Sequence, residues 1–349
     1  MDALLTQSKY TSRSEENQRT ILSKVIPLDT HYVFGFFLGD VCNFRCKYCV
    51  QSVLHGAAGM EHEHRGVEDL VQHLMSWETF LCAAGQLQEF PRQIKKILFS
   101  SIGEPLLHPL LPKMIAHLKE RNIAGDYEIV TNASLLTPEL SRALIDAGLT
   151  RLCVSVQGMT AEQYKSVCDY KINMDAFIEN LEFFYAYSRG KCRLHIKTVD
   201  IALDAGEDKK FLSVFGNICD SIYIDHVIPL YQDVDYDFLP EEKKGIYEGK
   251  VRDVAVCSPL FYTLYMNADG EVIPCCIVPY ALSYGNVHHD DLVTMWNGEK
   301  RRAFLELHLR KKRYVHPICR DCVHPNAVIL PSDVLDDAAE EILTQIRKW

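Results

Sequence analysis

Between residues 33 and 227 the chain alternates between short apolar runs and longer amphipathic stretches, and no other feature narrows the fold so far. The runs Val33–Val41, Lys96–Ser101, Tyr127–Thr131, Arg151–Gln157, Leu194–Asp200 and Ser221–Val227 are rich in Ile, Val, Leu, Phe and Tyr and read as strands. Helical spacing fills the gaps. Leu70, Val71, Leu74, Trp77 and Leu81 form one stripe, and Leu110, Leu111, Met114, Ile115 and Leu118 another. A third helix starts at Pro138 and stops before Gly148. Thr160-Ala-Glu-Gln163 opens a fourth with a capping box. Asn173–Tyr187 and Asp208–Ile218 complete the series. Strands separated by helices must run parallel with right-handed crossovers, so the fold class is α/β. Periodicity leaves two forms open, a doubly wound sheet and a barrel.

The pattern changes after Pro229. Residues 231–250 are acidic and turn-rich and read as a linker. Phe261–Met266 and Glu271–Pro274 flank Asn267-Ala-Asp-Gly270, which predicts a β-hairpin. A helix follows over Asp291–Arg310, and an amphipathic helix is expected over 331–349.

The 349 residues carry a net charge of −10, which argues against a general nucleic-acid or anionic-membrane surface. The run Arg310, Lys311, Lys312, Arg313 is the local exception and reads as a solvated helix end. There is no signal-like apolar stretch at the N-terminus and no apolar run of ~18 residues. The expected location is the cytoplasm. In that reducing setting 13 cysteines are an anomaly, and cysteines at short fixed spacing point to metal ligands. Cys42, Cys46, Cys49, Cys257, Cys275, Cys319 and Cys322 are patterned. Cys82, Cys153, Cys168, Cys192 and Cys219 are isolated and read as core packing.

Cys42-Asn-Phe-Arg-Cys46-Lys-Tyr-Cys49 directly follows the first strand. Three thiolates on one loop can hold three irons of a [4Fe–4S] cluster and leave the fourth open to a small chelating molecule. Zinc usually takes four ligands, so the loop suits it poorly.

This C-x3-C-x2-C loop, with Tyr48 before its last cysteine, resembles the signature of the radical S-adenosylmethionine (SAM) superfamily. The resemblance implies a partial (β/α)6 TIM-like barrel over 31–230, with a small C-terminal α+β auxiliary-cluster domain over 251–330. Residues 1–30 would be an N-terminal extension, 231–250 the linker and 331–349 the C-terminal helix. It also implies that the open iron chelates SAM, whose reductive cleavage gives a 5′-deoxyadenosyl radical that takes hydrogen from substrate carbon. Tyr48 then lies near the adenine. Ser101-Ile-Gly103-Glu104-Pro105 resembles the family's G-G-E-P segment at the SAM amino group, departing from it at Ile102. Thr131-Asn132 and Ser155-Val-Gln157 resemble its polar strand ends near the ribose and carboxylate. All sit at strand C-termini, where parallel α/β folds bind ligands.

Cys257, Cys275 and the pair Cys319-Arg-Asp-Cys322 could hold either a closed [4Fe–4S] cluster or a structural zinc. The arrangement resembles the SPASM and twitch auxiliary domains of the same superfamily, which implies iron–sulfur. No cysteine follows Cys322, which matches the one-cluster twitch form. Cys276 could replace Cys275, donate a hydrogen atom to a substrate radical, or pack. Lys197 is placed to face the barrel interior. His55, His62, His64 and His73 read as solvent-exposed. The functional expectation is oxidation or other modification of a small carbohydrate-like molecule, served by an electron donor such as flavodoxin or ferredoxin. Crosslinking or epimerisation of a ribosomal peptide is the alternative, and the ~30 residues before the first strand are short for a leader-binding domain. A non-catalytic metal-bound scaffold is the reading from another class.

Overall fold

The computed structural model describes residues 10–11, 19–54, 74–100, 102–231, 234–240, 245–246, 251–276 and 282–348. Ser101 and the histidines 55, 62, 64 and 73 lie outside these, as does the expected helical stretch before residue 74.

The strands are β1 (Val33–Phe36), β2 (Ile94–Phe99), β3 (Ala124–Thr131), β4 (Arg151–Val156), β5 (Arg193–Val199) and β6 (Ser221–Asp225). Each pairs in parallel with the next in sequence. That order decides between the two open forms. A doubly wound sheet reverses direction beside its first strand and carries helices on both faces. Here the progression runs one way from β1 to β6, right-handed crossovers keep the helices on one side, and the other face curls around a lumen. The fold is a partial (β/α)6 barrel.

Alternation along the strands divides their side chains between these faces. Phe34 and Phe36 turn outward, where Phe36 stacks on Phe99 and meets Phe80 of the helix Trp77–Leu87. All four rings are buried, and each contributes about 1.5–3 kcal/mol of apolar burial. Phe37 and Leu98 face inward, in a small cluster with Tyr265 and Ile273. The first of the expected helices begins only at Trp77, capped by Ser76, and Leu74 forms an antiparallel bridge with Gly39 instead of joining the helical stripe, whereas three later helices start where the sequence predicts. Thr137 caps Pro138–Asp146, Asn173 caps Met174–Ser188, and Thr160 with Gln163 forms the complete capping box.

The C-terminal unit extends the same sheet. β7 (Thr263–Met266) pairs in parallel with the other edge of β1, and β8 (Glu271–Ile273) and β9 (Gly285–Asn286) follow antiparallel. The predicted hairpin is present, and the Asn267 side-chain oxygen accepts from the Asp269 and Glu271 amides at its turn. The helix expected over Asp291–Arg310 is two helices, Leu292–Asn297 and Glu299–Leu309, parted by extended backbone at Gly298. Trp296 donates to the Leu28 carbonyl at 2.8 Å and carries the Arg301 guanidinium over its ring at 3.3 Å. Among the described residues no helix is long and apolar enough to cross a membrane.

Candidate functional site

β1 ends at Phe36, earlier than its apolar run suggests, and the chain turns into the loop that carries Cys42, Cys46 and Cys49. The loop is held from every side. The Arg45 and Lys47 amides donate to Cys168 and Val167 carbonyls at the end of helix Ala161–Cys168. The Arg45 guanidinium donates back to the carbonyls of Cys42 at 2.7 Å and Phe44 at 3.0 Å. Buried Gln51 donates to Asp40 O and Ile102 O, tying the loop to the next strand end. Burial pushes the Cys49 thiol up to about 11, and burial likewise raises Cys42. Cys46 is raised by its hydrogen bond with Cys168 and then by burial. Such thiols give up their protons to a metal rather than to water.

Gly103 fits beneath this loop because it lacks a side chain. A Cβ there would lie 2.4 Å from Gly39 O and 2.7 Å from Val41 O, both backbone atoms. The Glu104 amide donates to Val41 O at 2.8 Å, and Pro105 starts the short turn Pro105–Leu107. Glu104 itself is buried. It accepts from the Thr131 hydroxyl, the Asn132 amide at 2.8 Å and the Leu106 amide at 2.9 Å. Burial nonetheless pushes its carboxyl up to about 7. Asn132 also donates to Asn43 at 2.8 Å, and Asn43 donates to Ser134 at 2.8 Å, so the cysteine loop and the end of β3 share one network. The Tyr48 hydroxyl donates to Gln157 at 2.7 Å, just past β4, while Ser155 stands partly exposed on that strand. The expected loop, turn and strand-end residues therefore converge at one end of the barrel.

Residues without a local signature complete the site. Tyr236 donates to the Tyr48 carbonyl at 3.1 Å, and Phe238 lies under the Lys47 ammonium at 4.9 Å. Both come from the acidic segment read as a linker.

The second cysteine set also converges. The Cys257 thiol is raised by burial and then by Cys275, Cys322 and Cys319, in that order. Arg313 holds the C-x2-C turn through Cys319 O at 3.0 Å and Cys322 O at 2.8 Å, with Asn326 on its other nitrogen at 3.0 Å. These four cysteines line a cavity of about 420 Å³ that continues into the barrel past Leu98, Lys197 and Asp225. His308 lines it too, fully buried, with neither ring nitrogen hydrogen-bonded among the described residues. Cys276 faces the lumen side, packed on the inner cluster with Phe37 and Leu98. Lys197 does reach the interior, but it donates to Asp225 rather than standing ready for a ligand. Lys96 similarly donates to buried Glu128.

The sequence profile of the Radical SAM superfamily matches residues 36–212, from the end of β1 past β5. The chain belongs to the radical SAM superfamily. A second profile, for the SPASM iron–sulfur cluster-binding domain, matches residues 257–323 and spans the second cysteine set of this radical SAM enzyme. It is 22% identical over 339 residues to a tungsten-containing aldehyde ferredoxin oxidoreductase cofactor-modifying protein of Pyrococcus furiosus, covering 80% of this chain and 84% of that one. Its fold is similar to BtrN in complex with AdoMet and 2-DOIA, with TM-score 0.52, 17% identity, and 84% and 92% of the two chains covered. It is also similar to Streptococcus suis SuiB bound to the precursor peptide SuiA, with TM-score 0.56, 14% identity, and 88% and 72% covered.

A radical SAM enzyme with a SPASM domain uses SAM, a [4Fe–4S] cluster and auxiliary iron–sulfur binding. The residues present fit those groups. One loop offers three thiols beside a glycine that leaves no room for a side chain, and the second cavity offers four thiols with an orphaned imidazole.

Proposed function

We propose that the chain oxidises a small carbohydrate-like molecule, with Cys42, Cys46 and Cys49 holding the SAM-binding cluster and Cys257, Cys275, Cys319 and Cys322 an auxiliary one. When bound, the first cluster and SAM supply radical chemistry, the reductive cleavage of SAM and removal of hydrogen from a substrate carbon. One observation carries the reading: a single cavity runs from the barrel lumen to the four C-terminal cysteines. A substrate in it touches the barrel on one side and the auxiliary site on the other. Its volume, about 420 Å³, lies in the range of small-molecule pockets. The Lys197–Asp225 ion pair makes one wall of the cavity polar.

Around SAM, Tyr48 packs near the adenine, held by Gln157 and Tyr236, while Gly103, Glu104 and Pro105 form the turn at the amino group. Thr131 and Asn132 orient that turn through Glu104, and Ser155 and Gln157 present the β4 end. Cys275 is the auxiliary ligand in this reading because it faces Cys257, whereas Cys276 faces the lumen. Oxidation and crosslinking both remove hydrogen without returning any, so Cys276 as donor belongs to the epimerised form of the alternative peptide reading. The similarity to SuiB with its precursor peptide keeps that alternative in the test. An electron donor such as flavodoxin or ferredoxin serves either reading.

The test is anaerobic reconstitution with iron and sulfide, then turnover with ring-deuterated aminocyclitols and sugars. Deuterium carried into 5′-deoxyadenosine, beside a ketone product, is the expected result. Deuterium transfer from labelled peptides alone would replace it with the peptide reading. A loaded protein that never cleaves SAM would leave only a metal-bound scaffold.

A further inference from the structure

The helix Glu299–Leu309 ends in an unusual way. The Lys311 amide donates to His308 O at 2.8 Å and the Lys312 amide to Leu307 O at 3.0 Å, the paired bonds of a Schellman motif. That motif puts its first residue past the cap in the left-handed region, where glycine is the usual choice because any side chain is strained. Here the residue is Lys311, at φ 57°. A cation at a helix end is favoured by the macrodipole, but the neighbours Arg310 and Lys312 supply that without the strain. Residual strain of this kind points to a job for the side chain.

What surrounds Lys311 suggests the job. Arg310, Lys311, Lys312 and Arg313 put four cations in a row on a chain whose net charge is −10. Lys311 and Lys312 are exposed and take part in no ion pair among the described residues, while Arg310 is shared with Glu306. Tyr314 and Val315 come next, 61% and 58% exposed, the most exposed large hydrophobic residues described. An exposed aromatic and a valine beside unpaired cations make the core and rim of a small docking face. Arg313 then joins this face to the auxiliary site through the carbonyls of Cys319 and Cys322. The exposed residues Arg320 and Asp321 lie on that same C-x2-C turn.

We propose that residues 310–315 dock an acidic one-electron carrier protein, so that electrons enter or leave the chain beside the C-x2-C turn. The inference rests on the auxiliary-cluster reading above. Its occupant follows from charge complementarity, since a positive face steers a strongly negative partner. Docking serves transfer of a single electron, with no bond made or broken.

The experiment uses the reconstituted holoenzyme with flavodoxin as the acidic carrier, and reads the dissociation constant at 20 mM and 500 mM salt. Three variants join the wild type: Lys311→Gly, the pair Lys311→Glu/Lys312→Glu, and Lys209→Glu on the helix Asp208–Phe215 as a control charge change. The double reversal is expected to weaken flavodoxin binding by about tenfold or more at low salt, with the difference closing at high salt. Lys209→Glu should leave it unchanged. Lys311→Gly should raise the melting temperature while weakening binding, a combination that a purely structural lysine would not give. Equal affinity for wild type and double reversal, an equal loss in the control, or a lower melting temperature in Lys311→Gly would overturn the proposal. Dithionite needs no docking face. SAM cleavage driven by dithionite in every variant, with carrier binding unaltered, would sink only this inference, and absence of cleavage in wild type would sink the function beneath it.

Discussion

Replacing Gly103 with alanine tests whether the cysteine loop and the Gly-Glu-Pro turn form one rigid unit. The new Cβ would sit 2.4 Å from Gly39 O and 2.7 Å from Val41 O, well inside normal contact. Neither oxygen belongs to a side chain that could rotate away, so the two segments must separate. Overpacking of this kind costs about 1–3 kcal/mol. The separation also strains the Glu104 N–H to Val41 O bond, worth about 1 kcal/mol. The expected loss is therefore about 2–4 kcal/mol, read from urea unfolding of the cluster-free chain. Because the displaced carbonyls lead directly into Cys42, iron after reconstitution should fall from about eight toward about four per chain. Gly85→Ala is the control, since that Cβ meets nothing within 4 Å inside the helix Trp77–Leu87. It should stabilise by about 0.5–1 kcal/mol. If Gly103→Ala unfolds with the wild type and loads its full iron, the close approach carries no weight and the reasoning fails.

Other perturbations follow from the same geometry. Burial raises the Glu104 carboxyl to about 7, so from the ordinary carboxylate range up to 7 the folded chain keeps a proton that the unfolded chain has lost. Stability from this group is full at low pH and lost as pH rises through 7; Glu104→Gln should flatten that slope in cluster-free protein, and an unchanged slope between pH 5 and 8 would refute it. Arg313→Lys cannot span Cys319 O, Cys322 O and Asn326 together, so it should lose the auxiliary iron while dithionite-driven SAM cleavage survives. Equal iron in the two proteins would contradict this. Tyr236→Phe deletes the bond to Tyr48 O, worth about 1 kcal/mol, and should weaken SAM binding about fivefold by calorimetry.

The strands and most helices were legible in the sequence because period and caps are local properties, as Thr160 and Gln163 illustrate. Strand order is not local. Only the pairing of β1 with both β2 and β7 showed that the sheet is singly wound and that the C-terminal unit joins it. The same limit applied at the site. Cys42, Cys46 and Cys49 announce themselves by spacing and Asn132 by its strand end, whereas Asn43, which meets Asn132 across 89 residues, has no pattern to mark it. Tyr236 was hidden in an acidic, turn-rich stretch whose composition says linker, although its hydroxyl reaches the Tyr48 backbone. Lys197 was correctly placed inside the barrel, but its partner Asp225 depends on the register of β5 against β6.

β1 is only Val33–Phe36, yet it has no free edge. Cutting the chain at the turn-rich stretch would not release two independent modules. The barrel would be left with a raw apolar border at Val33–Phe36, ready to pair with another molecule. The hairpin of β7 and β8 would lose the strand it grows from, and an isolated hairpin is marginal in water. The boundary that composition draws along the chain therefore crosses a continuous ladder of backbone bonds. Exchanging the C-terminal unit for that of a relative would mean regrafting a sheet, with the register Val33 to Thr263 as the joint to preserve.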